Sequence, residues 1–349
     1  MTLPKFYMLV GISGSGKSFI ANQLKNIYKN NIVVCSSDAI RKELWGDEND
    51  QRNPQKVFGL LHKRVKKALK EGKNVVYDAT NLSRKRRIGF LKEISNISCF
   101  KSCLLVATPF KECIENDKKR ERTVGEKVIR RQRESFQCPY FYEGWDSINI
   151  MNSIENVNLR ELKDIVENLR NISHDNPHHD YSIGDHILAA KEYCNNKRKE
   201  YEKRMIKYIH SPFYTDFVKV YDFEKEIEEW HLASVVANYH DIGKAATKHF
   251  CNLKGEPTEI AHYYNHHNVS AYEIVSRLRF AELLKEDAPT NSHWELDFDH
   301  YWLMVAVLVN IHMEPFLRKD KAWEKFSLLI GEYFTEIILK FHEADLNSH

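Results

Sequence analysis

"FYMLVGISGSGKS", residues 6–18, decides how the first half of the chain folds. An apolar run passes without interruption into G-x-x-x-x-G-K-S, and the residues after Lys17 take up helical periodicity to about Tyr28. A buried strand, a glycine-rich turn and a helix in that order make a nucleotide phosphate loop, because the turn aims backbone N–H groups at an anion.

Beyond the loop, apolar β-branched runs alternate with helical patterns. "NIVVCSSD" predicts a strand, "NPQKVFGLLHKRVKKALKEG" an amphipathic helix ended by Gly72, and "NVVYDAT" a strand. "SRKRRIGFLKEIS" predicts a helix, "FKSCLLVAT" a strand, and "DSINIM" a last strand closing the unit near residue 151. This rhythm is that of a parallel sheet flanked by helices.

After about residue 155 the pattern is helical throughout, and "SHDNPHHD" at 173–180 is a turn-rich junction. The expected architecture is an α/β domain over residues 1–155 followed by an all-α domain over residues 156–349. A chain of 349 residues exceeds what one core usually serves.

Composition sets further bounds. The formal net charge is only +3, so any site for a polyanion must be local. Seven scattered cysteines without a CxxC pair fit reduced thiols, and Cys99, Cys103, Cys113 and Cys138 lack zinc-site spacing. The longest apolar stretch, "YWLMVAVLV" at 301–309, is too short to span a bilayer. With no signal-peptide pattern, a cytoplasmic protein without membrane association is expected. Seventeen histidines, most of them after residue 170, point to separate chemistry in the second half.

In the first half, Gly11, Ser13, Gly14, Ser15 and Gly16 form the phosphate cradle. Lys17 would reach the β/γ-phosphates of ATP, and Ser18 would hold Mg²⁺. Asp38 follows the second strand, where ligands bind in such sheets, with Arg41 one helical turn on. The competing role for Asp38 is a helix N-cap. Asp78 ends the third strand and would orient the Mg²⁺ shell, and Asn81 and a basic run, Arg84 to Arg87, follow it. That run is equally well explained as a solvated helix face. In "NDKKRERTVGEKVIRRQRESF", Arg120 and Arg122 suit a lid closing on phosphates, and Arg130, Arg131 and Arg133 are expected mostly at the surface.

Together the loop, "SSDAIR", "DATNLSRKRR" and "KKRERTV…VIRRQ" resemble phage-type polynucleotide 5′-kinases, a branch of the P-loop kinases, over about residues 5–150. The resemblance implies Asp38 as general base, Arg41 as a clamp on a substrate phosphate and Arg120 as the lid arginine. "DAT" in place of "DT" before Asn81 is a departure from the pattern.

The second half carries His186 at a helix start, His240 and Asp241 in "NYHDIGK", and His262 and His266 in "AHYYNHHNVSA". His312 in "NIHMEP" and Asp345 in "FHEADLNSH" complete the set. His262 and His266 share a face if that segment is helical. His and Asp ligands gathered from several helices suit Mn²⁺, Fe²⁺, Co²⁺, Ni²⁺ or Zn²⁺, ions that activate water and neutralise phosphoryl oxygens. The ordered set resembles the HD superfamily of metal-dependent phosphohydrolases over about residues 175–349. The resemblance implies His186, His240, Asp241 and Asp345 as core ligands. It implies His262, His266 and His312 as second-metal ligands or phosphate contacts, and Lys244 as a phosphate contact. His267 and Glu314 depart from the pattern, standing where Glu and a basic residue are common.

A 5′-kinase joined to a 2′,3′-cyclic phosphodiesterase or 3′-phosphatase would heal both ends of a broken nucleic acid, RNA above all, before a separate ligase seals it. Two other expectations remain open at this level: a nucleoside or small-molecule kinase fused to a nucleotidase, and a kinase regulated by a non-catalytic HD module.

Overall fold

The computed structural model describes residues 3–151, 160–177, 180–211, 217–277 and 298–348. The chain divides into two compact units, Met1–Asn156 and Val157–His349.

The first unit runs β1 (Lys5–Val10), α1 (Lys17–Tyr28), β2 (Ile32–Ser36), α2 (Ser37–Trp45), α3 (Pro54–Lys70), β3 (Asn74–Asp78), α4 (Arg84–Glu93), β4 (Phe100–Val106), α5 (Phe110–Lys118), α6 (Glu126–Glu134) and β5 (Ser147–Met151). Its five strands pair in parallel in the order β2-β3-β1-β4-β5. Val75, Val76 and Tyr77 are buried because helices cover both faces of the sheet. On one face Ile20, Ala21, Leu24 and Tyr28 of α1 pack on Tyr7, Leu9, Val76 and Leu104. On the other, Phe90 of α4 packs against Phe6, Tyr77 and His62 of α3. Parallel pairing, with Ser36 opposite Asp78 and Val10 opposite Leu105, brings the strand ends that carry the functional residues to one edge.

Local chemistry sets the boundaries. Asn53 caps α3, its side chain accepting from Lys56 N, with Pro54 at the first helical position. The basic run divides in a way the sequence pattern does not reveal. Lys85 and Arg86 are exposed, but Arg84 and Arg87 are buried. Arg87 makes a two-pronged ion pair with buried Glu143, at 2.7 and 2.6 Å, and Trp145 Nε1 also donates to that carboxylate. Arg133, expected at the surface, is buried with its guanidinium 3.8 Å from the Phe110 ring centroid.

The second unit comprises α7 (Arg160–Leu169), α8 (Ile183–Ile209), α9 (Phe217–Tyr239), α10 (Lys244–Thr247), β6 (His249–Cys251), β7 (Pro257–His262), α11 (His266–Val275), α12 (Phe298–Ile311), α13 (Glu314–Leu317), α14 (Asp320–Ile330) and α15 (Glu332–Leu346). α8 packs along α9, and α15 lies against both. Ser182 caps α8 by accepting from Asp185 N and donating to the Asp185 carboxylate, which fixes the helix start just before His186.

The unit is helical but not all-α. β6 and β7 form an antiparallel hairpin, closed by a turn in which Gly255 sits at φ +83° and Asn252 N–H bonds Glu256 O. His262 therefore ends a strand, while His266 opens a helix, so the two do not share a helical face. Asn265, at φ +62°, makes the turn between them. α11 ends at Val275, and residues 278–297 lie outside the described residues.

Candidate active sites

In the phosphate loop, two glycines are needed for geometry. Gly14 sits at φ +80°, and a Cβ there would lie 2.1 Å from Cys113 O; Gly16 sits at φ +100° immediately before α1. The loop is braced from outside by Thr108 Oγ1 on Ser15 O (2.8 Å), Asn116 Nδ2 on Gly14 O (3.1 Å) and Gly11 N–H on Thr80 O (3.0 Å). Asn81, at φ +50°, donates its side-chain amide to Leu9 O at 2.7 Å. It thus ties the end of β1 to the chain after β3.

Lys17 folds over the loop, donating to Ile12 O at 2.7 Å. Burial pushes its ammonium down to about 8, against the pull of Asp78. Asp78 ends β3, its carboxyl raised by burial and held back by Lys17. Arg120 is exposed, yet its charge acts on both Lys17 and Asp78. Ser18 is exposed in the first turn of α1, where helix N–H groups favour phosphate.

Asp38 is not an N-cap: Ser36 occupies that position and Asp38 stands in the first turn of α2. Its carboxylate is half-exposed and receives Arg41 Nη1 at 2.5 Å, with Arg122 Nη1 at 3.7 Å. Arg122 reaches across from the loop between α5 and α6 to Glu48 Oε2 (2.5 Å) and Asn49 Oδ1 (2.8 Å). Asp117, accepting from Val124 and Gly125 N–H, shapes that loop. Gln132 of α6 accepts Ser13 N–H at 2.6 Å. Sequence reasoning missed Glu48, which lies in no motif, and Gln132, which ends "VIRRQ" but carries no role readable from the sequence.

The second site gathers six predicted residues. His186, His240 and Asp345 form one group of potential metal ligands, and Asp241, His266 and His312 form another. Asp241 links them: Oδ2 lies 3.1 Å from His240 Nε2 and 3.7 Å from His186 Nε2, and Oδ1 lies 3.2 Å from His266 Nε2. Asp345 Oδ1 stands 3.0 Å from His186 Nε2 and 3.6 Å from His240 Nε2. His266 and His312 bring their Nε2 atoms to 3.2 Å.

The opposite ring nitrogens explain this convergence. Nδ1 of His240, His266 and His312 faces the carbonyls of Ala237, Tyr263 and Val309 at 2.7–2.8 Å, and His186 Nδ1 faces Ser348 O at 3.2 Å. A carbonyl only accepts, so Nδ1 carries the proton and Nε2 offers a lone pair inward. His240 Nε2 and Asp241 Oδ1 are buried without completing a hydrogen bond, while Asp241 Oδ2 faces the Lys244 ammonium at 2.6 Å. Buried lone pairs and carboxylates turned toward one another are costly unless a cation lies among them. The residues therefore fit a divalent ion in each group, and nitrogen with carboxylate suits the borderline metals named above.

The electrostatics agree. Burial works against charge on His240, but Asp241 and Asp345 outweigh it and raise its pKa. Burial opposes the Asp241 and Asp345 carboxylates too, yet neighbouring His240, Lys244 and His186 hold both below the ordinary range. Burial drives His312 well down, aided by His266 and His240.

Lys244 is buried, its ammonium 2.6 Å from Asp241 Oδ2 and 3.1 Å from His174 Nε2. His174 went unnoticed in the sequence, one of three histidines in a turn-rich junction. Burial, then Lys244, pushes its pKa down to about 4. Glu314, standing where a basic residue is common, is paired with Arg318, the residue just past the end of its own helix. His262 belongs to neither ligand group among the described residues; its ring lies parallel to Tyr264, at 8° and 5.2 Å between centroids.

A family described as an AAA domain matches residues 6–139. In the first unit, the five-stranded parallel sheet with flanking helices fits a P-loop kinase-type fold. That sheet, the phosphate loop and the strand-end carboxylate imply ATP and Mg²⁺. No curated protein matches the sequence. Among solved structures, the chain is similar to one from the Pnkp1/Rnl/Hen1 RNA repair complex, at 24% identity and a TM-score of 0.32, covering 38% of this chain and 43% of that one. A second structure of the Pnkp1/Rnl/Hen1 complex matches at 24% identity and a TM-score of 0.30, covering 46% and 49%. A gluconokinase from Sinorhizobium meliloti 1021 matches at 16% identity and a TM-score of 0.33, covering 45% of this chain and 86% of that one. The chain thus spans less than half the length of the first two. No described helix is long and apolar enough to cross a membrane.

Proposed function

We propose that the chain heals the ends of broken nucleic acid, RNA in particular, with two separate active sites. The first unit would transfer the γ-phosphoryl group of ATP to a 5′-hydroxyl. Asp38 would take the hydroxyl proton, and Arg41, which already orients that carboxylate, would also bind the acceptor's phosphate. Lys17, Arg120 and Arg122 would neutralise charge on the transferred group.

The second unit would be an HD-type phosphoesterase acting on 2′,3′-cyclic phosphate or 3′-phosphate ends. Metal ions held by His186, His240, Asp241, Asp345, His266 and His312 would supply activated water and charge neutralisation. The carbonyl-bonded Nδ1 atoms keep the ligand nitrogens aimed, the buried walls exclude bulk water, and Lys244 is the nearby cation for a phosphoryl oxygen. A ligase acting afterwards would be a separate partner.

The observation that carries this reading is the single carboxylate of Asp241 facing both ligand groups, in a chain that also has a complete phosphate loop. The test is incubation with ATP, Mg²⁺ and Mn²⁺ and an RNA bearing 5′-OH and 2′,3′-cyclic phosphate ends, with product ends mapped. Asp38→Ala should abolish 5′-phosphorylation and spare 3′-end hydrolysis, and Asp241→Ala should do the reverse. Loss of both activities in either folded variant would refute the two-site reading, as would preference for a free nucleoside acceptor.

A further inference from the structure

The hairpin interrupts the helical unit between Asp241 and His266, two members of one ligand group of the second site. It leaves just after Lys244, which contacts Asp241, and returns just before His266. Both ends are fixed there: Lys248 pairs with Asp175 at 2.6 Å, Ala261 N–H bonds Asp175 O, and the Tyr263 hydroxyl donates to His174 O. Tyr263 also places its ring 5.4 Å from the Lys244 ammonium.

Most of this hairpin has no core. Phe250, Leu253, Glu259 and Ile260 are exposed, and Ala261 is its one buried residue. Three ring side chains nevertheless cluster at its base. His249 pairs across the strands with His262; the His262 and Tyr264 rings are parallel; and His249 lies 5.1 Å from Tyr264. All three are half-buried, so their rings are not packing for an interior. Tyr264 stands two residues before His266, so its Cα is within about 7 Å of that ligand's Cα. That reach is comparable to the span from a terminal phosphate to the base of its own nucleotide.

We infer that His249, His262 and Tyr264 form a stacking subsite for the nucleobase of the nucleotide whose phosphate enters the second site. The ligand class is a planar heteroaromatic base, held by its face and therefore without strong sequence preference. This rests on the phosphoesterase reading and reassigns His262 from the metal or phosphate to the base.

The test compares the full chain with Tyr264→Ala and Tyr264→Phe, on an oligonucleotide ending in 3′-phosphate and on the same strand with an abasic terminal residue. Tyr264→Ala should raise KM for the base-bearing end about tenfold or more, leave kcat within about twofold, and leave the abasic end unaffected. Tyr264→Phe should match the parent. Equal loss on both substrates, or no change on either, overturns the subsite. If the parent hydrolyses neither, the phosphoesterase reading fails separately, and the subsite is decided by fluorescence of a terminal 2-aminopurine: quenching by the parent and Tyr264→Phe but not Tyr264→Ala supports it, and no quenching by the parent overturns it.

Discussion

Arg122 donates to Glu48 at 2.5 Å across 74 positions of sequence, so an arginine suited to gripping nucleotide phosphates is engaged by a carboxylate of the protein itself. Both side chains are about one-third exposed, and a pair of that kind is worth about 1 kcal/mol at most. In the proposed lid role, nucleotide would compete with Glu48 for Arg122. Glu48→Gln should tighten ATP binding by about two- to fivefold, and Arg122→Ala should weaken it, both read by calorimetric titration. Weaker binding by Glu48→Gln would mean instead that the pair holds the lid closed over bound nucleotide.

Lys17 gives the first site a pH signature. Its ammonium is lowered to about 8, and it must be charged to meet the phosphates. Below that pH, ATP meets a lysine already protonated. Above it, binding must take up a proton, so affinity should fall by up to about tenfold per pH unit. Stability of the nucleotide-free protein has the opposite sign. Between about 8 and the ordinary lysine value the unfolded chain binds more protons, so stability should rise with pH across that window. Titrations in buffers of different ionisation enthalpy check the proton uptake, and Lys17→Met should remove it.

Much of both sites was legible in the sequence because adjacency in the chain carries the chemistry. The glycine turn of residues 11–18 needs no distant partner to be recognised, and Asp38 and Asp78 follow from strands ending at one sheet edge. The ordered histidines were readable as types that ligate metals. Partnerships across the fold were not. Arg87 looks like any lysine or arginine on a basic helix until Glu143, 56 positions later, meets it in the interior. His174 acquires meaning only when Lys244 arrives beside it. The hairpin was hidden because its strands are short and its rings resemble a helical His-x-x-x-His pair.

The Arg87–Glu143 pair carries a stability prediction. Both side chains are essentially inaccessible, and Arg87 also donates to the carbonyls of Asn81 and Leu82. Removing either charge strands the other without water. Arg87→Met or Glu143→Gln alone should cost about 3–5 kcal/mol by chemical denaturation. The double variant Arg87→Met/Glu143→Leu should recover part of that loss, because no unpaired charge remains. A double variant as unstable as the sum of the singles would show that the bonds to Asn81 and Leu82, not the ion pair, hold this corner.

Metal should stabilise the second unit directly. Without a cation, the inward Nε2 atoms and two carboxylates face each other in a buried space, and Lys244 partly compensates at Asp241. A divalent ion that binds only the folded form, at about a hundred times its Kd, adds about 2.7 kcal/mol. Mn²⁺ or Ni²⁺ should therefore raise the melting temperature of this unit, and a chelator should reverse the gain. The phosphate-loop unit should not respond to the same ion at the same concentration in the absence of nucleotide. His312→Ala should weaken one of the two ligand groups and reduce bound metal, by elemental analysis, toward one equivalent. Asp241→Asn should reduce it further, since that carboxylate faces both groups. A melting temperature indifferent to every ion tried, with no metal retained, would leave the convergent histidines without their expected guest and remove the basis for hydrolysis at this site.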